Sequence, residues 1–328
     1  MPKSSKTAKS TIRRAGAKAK KPFPTMKAVR NKTMWYKQLS AFWLSNPPSA
    51  ALLEPALLTA PHTPPAGLDW FAEGFVPPTS FSGDLVFNTG GKLGFALKRE
   101  EKVLPAAVIR EQVQKRVDKI EREEARTVGR KEKQELKQQI TDDLLPKALT
   151  RSSRTHAVIA GNWLLVDTAS AAKAEKLLTC LHQALGGLDA KLPRTKESPR
   201  SLMTRWLLAG EAGGSFDLGS NAVLIGGDNA PRVKIDRSDL TREDIVRHVK
   251  NGLDVWEMGL VWRDRLYFTL TADFALKRIN YLDVLTQEAE VGDDAASLAY
   301  ATQTLMAAAL TEVLDELAEL AGGLEGVR

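Results

Sequence analysis

Four histidines, one cysteine and two acidic pairs are the side chains with which this sequence would have to perform catalysis or hold a metal. His62, His156, His182 and His248 stand far apart in unrelated contexts, so no H-x-x-x-H zinc pair exists. Cys180 is alone, which excludes an internal disulfide and any thiolate cluster, and no base neighbours it in sequence. Asp142-Asp143 and Asp293-Asp294 supply adjacent carboxylates, yet neither pair ends a strand beside a lysine as metal-dependent nuclease chemistry wants. Helix-terminal or solvated roles suit them better. The NTGGKL stretch around Gly91-Lys92 lacks the first glycine and the Ser/Thr of a phosphate loop, and reads as a turn. There is no G-x-S-x-G. The expectation is a protein without an enzymatic centre, a metal or a cofactor.

Basic clustering is the positive signal. The net charge of +7 is carried by the start of the chain, since residues 1–33 hold 11 basic and no acidic residues. The remainder has 36 basic against 40 acidic, so a polyanion site there must come from local clustering. One cluster is Lys147, Arg151 and Arg154, with no acid from Leu144 through Val166 and with Ser and Thr interleaved. Such groups grip phosphate oxygens without reading bases. A second is Arg232, Lys234 and Arg237; Arg232 and Lys234 alternate with Val233 and Ile235, so both charges fall on one face of a strand. The third is Lys277-Arg278, placed after the last strand. A scattered basic surface without a partner accounts for composition alone equally well. The segment 282–328, with ten acidic residues and one basic one, should face away from phosphate.

The elements that must position these residues read as α+β. Residues 1–33 cannot bury enough apolar surface to offset ordering entropy and are expected to be a disordered basic tail, or to precede a true start at Met34. From Met34, MWYKQLSAFWLS is a strand and SAALLEPALL a short helix interrupted by Pro55. WFAEGFVPP, DLVFN and KLGFALKRE are extended. From Pro105 to Leu145 charges crowd in, and Ile109, Val113, Val117 and Ile120 form a stripe within about 80° of the helical wheel. Leu136, Ile140 and Leu144 repeat the spacing, with Gly129 between the two segments as the point of reversal. A stripe so thin predicts a projecting helical hairpin that pairs with something else. THAVIAGNWLLVDT is a strand hairpin, followed by the helix ASAAKAEKLLTCLHQAL and a helical SLMTRWLLAG. GSFDL, NAVLIGG and PRVKIDRSD are three extended stretches. TREDIVRHVKNG is a helix capped by Thr241; two strands over Asp254–Leu276 and a terminal helix from about Ala295 to Leu320 complete the reading. No run approaches the ~20 apolar residues of a membrane helix, the start has no apolar core of a secretory signal, and a cytoplasmic location is expected.

Several stretches, in order, resemble the RdgC family. They are MWYKQLSAFWLS, the Gly74–Pro78 turn GFVPP, KREEKVLPAAVIREQVQKRVDKIEREEAR, LLPKALTRSS, VDTASAAKAEKLLTCLHQALGGL, DLTREDI and ALKRINYLD. The resemblance runs from Met34 to near the C-terminus. It implies a central sheet domain (34–104 with 155–190), a projecting helical tip (105–154) and a second sheet and helix domain at the base (191–328). It also implies a head-to-head homodimer closed into a ring around double-stranded DNA, bound without sequence preference, limiting the recombinase RecA and associated with the nucleoid. Lys147, Arg151, Arg154, Arg232, Lys234, Arg237, Lys277 and Arg278 then become candidates to touch DNA. Ile109, Val113, Val117, Ile120, Leu136, Ile140 and Leu149 become candidates for the dimer contact. Two departures stand out: residues 1–33 have no counterpart, and Leu149 occupies a place where the family often has an aromatic. The alternative is an interaction protein whose hairpin engages a different protein, with DNA contact incidental.

Overall fold

The computed structural model describes residues 35–227, 231–290 and 294–326; the tail expected over 1–33 lies outside them. Within them the chain is α+β, built on two antiparallel sheets and eight α-helices. The first sheet comprises β1 (Ser40–Leu44), β2 (Phe71–Val76), β3 (Phe87–Thr89), β4 (Lys92–Val103), β5 (Leu149–Ala160), β6 (Trp163–Val166) and β7 (Ala190–Lys191). Its order is β2-β4-β5-β6-β1-β7, with β3 also on β4. The second comprises β8 (Phe216–Ile225), β9 (Arg232–Ile235), β10 (Asp254–Trp262), β11 (Leu266–Thr271) and β12 (Leu276–Tyr281), in the order β12-β11-β10-β8-β9.

Alternation along the inner strands divides the core in two, because successive side chains leave opposite faces of a sheet. Phe42, Leu44, Ala157, Ile159, Leu164 and Val166 point to one side, where α1 (Ala50–Leu58) and α4 (Ala171–Leu185) supply Leu53, Leu57, Ala174, Leu177 and Leu181. Ala41, Val158, Ala160, Trp163 and Leu165 point to the other. There they meet the terminal helix α8 (Ala295–Leu320), α5 (Pro199–Ala209) and the apolar face of the second sheet, centred on Trp262 and Phe268. Residue 39 is bridged to Leu276 of β12 by paired backbone hydrogen bonds of 2.8 and 2.9 Å, tying the start of β1 to the second sheet.

Between β4 and β5 run α2 (Ala106–Glu124) and α3 (Arg130–Leu144), followed by a single 3-10 turn, Leu145–Lys147. The two helices pack on each other: Val117, Val128 and Leu136 are buried, with Val113 and Ile120 against them. The expected stripe is thus largely closed within the chain, because Val128 of the connection and Leu136 cover it. The reversal is also made differently from expectation. Ala125 takes the left-handed conformation (φ 48°), whereas Gly129 is extended (φ −73°) and precedes the first turn of α3.

Other boundaries moved for identifiable reasons. Pro55 lies inside a continuous α1, held by burial of Leu53 and Leu57 on either side of it. GSFDL and NAVLIGG are one strand, β8, because Gly219 lets it run within 2.8 Å (from a notional Cβ) of the Gly259 backbone. Helix α6 (Glu243–Lys250) is preceded by Arg242 at the cap, not Thr241, whose hydroxyl is used by Asp239 at 2.6 Å. Lys277 and Arg278 do not follow the last strand; they lie in β12, where Arg278 (φ 53°) sits at an irregularity of the β11–β12 register. A short helix, α7 (Asp283–Ala289), precedes the terminal helix α8. No helix of the described residues is long and apolar enough to cross a membrane.

Candidate nucleic-acid interface

The second and third basic clusters share one face of the second sheet. Register places Lys234 opposite Val223, Val223 opposite Glu257, and Glu257 opposite Thr271. Opposed residues in an antiparallel pair lie on the same face, and so do residues two apart, which adds Arg232. Lys277, opposite Thr269, reaches Glu257 Oε1 at 2.9 Å, and Arg278 reaches Glu257 Oε2 at 3.5 Å. The face is therefore bounded by Arg232 and Lys234 on one outer strand and by Lys277 and Arg278 on the other, with Glu257 between.

Polar and small residues floor this face. The Tyr267 hydroxyl donates to Asn221 Oδ1, and Asn221 Nδ2 donates to Thr269 Oγ1 at 3.2 Å. Gly259 leaves room for that contact, since a Cβ there would sit 2.3 Å from Asn221 Oδ1. Burial pushes the Tyr267 phenol above its ordinary range, with Asp236 adding to the shift and the Ser220 hydrogen bond and Arg278 opposing it. The phenol is consequently a neutral donor. Arg237 stands just past β9, exposed, in left-handed backbone (φ 51°). Arg232, Lys234 and Arg237 make no ion pair among the described residues. Asn221, Tyr267, Thr269 and the two glycines were not singled out from sequence, where only their shared strand parity could have shown them.

The first cluster is not gathered in the same way. Lys147 ends the 3-10 turn, and Arg151 and Arg154 lie in the exposed first half of β5. Residues three apart on a strand point to opposite faces, so Arg151 and Arg154 diverge. Arg151 lies opposite Glu101 and is paired with it; Arg154 lies opposite Lys98, itself 2.7 Å from Glu100 Oε2. On the Arg151 face a chain of charges continues from Glu101 to Arg99, from Arg99 to Glu73 at 2.6 Å and from Glu73 to Lys176 at 2.8 Å. Arg99 also lies 4.0 Å over the Phe71 ring. Among the apolar candidates, Ile109, Val117 and Leu136 are buried and Val113, Ile120 and Ile140 half-buried, while Leu149 is 82% exposed.

The residues weighed for enzymatic chemistry remain apart. Asp294 caps α8 by accepting from the Ser297 N–H at 2.7 Å, and Asp142 accepts from Gln138; Asp293 lies outside the described residues. Gly90 and Gly91 make the β3–β4 turn in positive φ. Cys180 packs beside the α4 core, and its thiol is raised chiefly by burial. No group of three or more metal-ligating side chains occurs among the described residues.

His62 and His156 are titratable groups whose shifts bear on stability near neutral pH. His62 is buried, its Nε2 lacking a hydrogen bond and 3.5 Å from Glu100; burial, then Lys98, lower its affinity for a proton, and Glu100 opposes. Burial, then Arg154, lower that of His156. The unfolded chain therefore binds more protons than the native one below an unfolded pKa of ~6.5. Stability is complete above that pH and falls as pH drops through it. The expected result is a lower urea midpoint at pH 5.5 than at pH 7.5, with most of the difference removed in His62→Gln with His156→Gln; equal midpoints in the wild type would refute the assignment. Asp167 acts in the opposite sense, since burial raises it and its contribution is lost as pH rises through the native value.

These features define a two-sheet α+β protein presenting a basic-edged polar sheet face. A family described as "Putative exonuclease, RdgC" matches residues 34–324. A Neisseria meningitidis protein is 55% identical over 296 residues, covering 88% of this chain and 99% of its own length. A Laribacter hongkongensis protein is 44% identical over 300 residues (88% and 99%), and one from Pseudomonas paraeruginosa 36% identical over 301 (89% and 98%). Each of the three is named "Recombination-associated protein RdgC". The chain belongs to the RdgC family.

Proposed function

We propose that this protein binds double-stranded DNA without sequence preference and acts in recombination, as a ring-shaped homodimer that limits access of RecA and associates with the nucleoid. The observation that carries the reading is the convergence of Arg232, Lys234, Lys277 and Arg278 on one sheet face. Four strand spacings separate the outer rows, about 19 Å along the sheet, wider than the ~12 Å major groove. Cations so placed can reach phosphates on either side of a groove while contacting no base edge. Hydroxyl and amide groups of Tyr267, Thr269 and Asn221 lie between them. The names of the relatives support the recombination role.

In this reading the chain is organised as a central domain (34–104 with 155–190), a helical tip (105–154) projecting as a hairpin and a base (191–328). Two copies meet about a two-fold axis, an arrangement in which the same patch is used twice. Of the apolar residues assigned to that contact, Ile140 and Leu149 are the ones least used within the chain.

Binding through phosphate neutralisation predicts a steep salt dependence. A protein making 6–10 phosphate contacts loses ~10³–10⁵ in affinity between 50 and 200 mM salt. Fluorescence anisotropy on two unrelated duplexes should give the same slope; a flat response, or a slope differing between sequences, would defeat the proposal. The description of the family as an exonuclease makes a second measurement necessary. Incubation of linear and supercoiled DNA with Mg²⁺ or Mn²⁺ is expected to leave both intact, and progressive shortening of the linear form would replace a binding role with a catalytic one.

A second reading, pairing of the α2–α3 segment with another protein, is favoured by the groove of about 440 Å³ between these helices, lined by Lys115, Arg116, Lys119, Leu136, Ile140 and Asp143. Light scattering separates the two: a monomer at micromolar concentration favours the second.

A further inference from the structure

Two strands flank the outer edge of β1 and leave a gap between them. Leu39 exchanges backbone hydrogen bonds with Leu276 of β12, and Trp43 lies opposite Lys191 of β7. Backbone groups alternate in direction along a strand, so Ala41 turns its N–H and C=O to the same edge as Leu39 and Trp43. Continuing the β7 register would set Pro193 opposite Ala41, and a proline has no N–H to give. Neither backbone group of Ala41 is hydrogen-bonded to a described residue, although Ala41 is buried. Buried backbone groups are ordinarily paired.

The gap opens into a cavity of about 510 Å³ walled by β1, the start of α4, the 192–199 connection and the β11–β12 turn. Backbone hydrogen bonds brace both outer walls. On one, the Glu325 N–H meets the Arg194 carbonyl at 2.7 Å and the Glu197 N–H the Ala321 carbonyl at 2.9 Å. On the other, the Ala272 N–H meets the Trp256 carbonyl at 2.8 Å and the Phe274 N–H the Thr271 carbonyl at 3.1 Å. Arg194, Glu175, Asp273 and Glu325 all line this cavity, yet none forms an ion pair among the described residues. Lys277 lines it too, but its ammonium is held by Glu257 at 2.9 Å. Leu192, 61% exposed, adds apolar surface. The cavity thus offers an open peptide edge, uncompensated charges of both signs and an apolar wall. A simple ion would answer one sign only, and an apolar molecule neither.

We propose that this cavity binds a small zwitterionic peptide with aliphatic side chains. Its peptide group pairs with Ala41, its carboxylate meets the planar fork of Arg194, its ammonium meets Asp273 and Glu325, and a side chain covers Leu192. Two or three extended residues span roughly 7–10 Å, a length that suits a cavity of this volume. The proposal goes beyond DNA binding and does not depend on it.

The test is isothermal titration of the full-length protein with the dipeptide Leu-Leu. Saturable binding is expected, with half-saturation at or below about 1 mM. Three modified probes each remove one contact: acetyl-Leu-Leu the ammonium, Leu-Leu-amide the carboxylate, and Leu-(N-methyl)Leu the peptide N–H. Each is expected to bind at least tenfold more weakly. Arg194→Gln and Asp273→Asn change exposed side chains that hold no ion pair in the fold, and each is expected to weaken Leu-Leu about tenfold with duplex-DNA affinity unchanged. Absence of saturable binding, equal binding of any modified probe, or unaltered binding in either variant would overturn the proposal. The probe comparison on the wild-type protein decides even if a variant misfolds.

Discussion

Arg232→Gln combined with Lys234→Gln is expected to lower affinity for duplex DNA by ~60-fold at about 0.1 M salt, and to reduce the salt slope by about 2. The magnitude follows from counterion release. Each phosphate contact contributes ~0.9 to the slope of log affinity on log salt, which is ~8-fold per contact at 0.1 M. Both side chains are exposed on an outer strand, with Val233 and Ile235 supplying its inward contacts, so the fold should be retained. Lys277→Gln is expected to do less, because its ammonium is already 2.9 Å from Glu257 and exchanges one anion for another when it meets phosphate. Lys250→Gln, on exposed α6 outside the face, serves as the charge control and should change affinity by less than about threefold. The measurement is anisotropy on two duplexes of unrelated sequence. An unchanged affinity would remove this face from the interface. A loss confined to one duplex would mean that bases are being read, against the proposed mode.

The pairing of Arg232 with Lys234 on one strand face was legible in the sequence because strand parity is local. Their convergence with Lys277 and Arg278 was not, since it depends on a strand order, β12-β11-β10-β8-β9, that no neighbouring residues encode. Long helices such as α8 and α4 were read closely, their ends set by an Asp cap and by Gly186 in positive φ. The first half of β5 was missed for the opposite reason. LTRSSR carries no apolar alternation, since it is exposed on both faces, and its extended form comes from register with β4. Hydrophobic periodicity reports burial, so a strand that buries nothing is silent to it. The same limit explains α2 and α3: the stripe was visible, but the residue that covers it, Val128, lies in the connection between them.

The largest expected effect on stability comes from a position that sequence marked only as part of the GFVPP turn. Gly74 lies in β2, opposite Lys98, and the chain at Pro61–His62 runs close beside it, Pro61 forming an isolated parallel bridge with Phe75. The His62 N–H bonds to the Phe75 carbonyl at 3.0 Å, and the Phe75 N–H to the Ala60 carbonyl at 2.9 Å, so the 60–62 segment is held by both backbone groups of the residue that follows the glycine. A Cβ at Gly74 would lie 2.4 Å from the His62 N and Cα and 2.6 Å from the Pro61 carbonyl carbon. These are backbone atoms, which cannot rotate aside as a side chain can. Gly74→Ala must therefore move the 60–62 segment, breaking its two hydrogen bonds and exposing His62. Overpacking of this kind costs ~1–3 kcal/mol, and each net hydrogen bond lost adds ~1 kcal/mol, giving an expected loss of ~3–5 kcal/mol in urea unfolding. Gly83→Ala is the matched control, with open space around its Cβ and no positive φ, and should stay within ~0.5 kcal/mol of wild type. Equal unfolding midpoints for the two variants would show that the close approach of the 60–62 segment to Gly74 is loose, and that this contact does not hold His62 in the position from which acid sensitivity is expected.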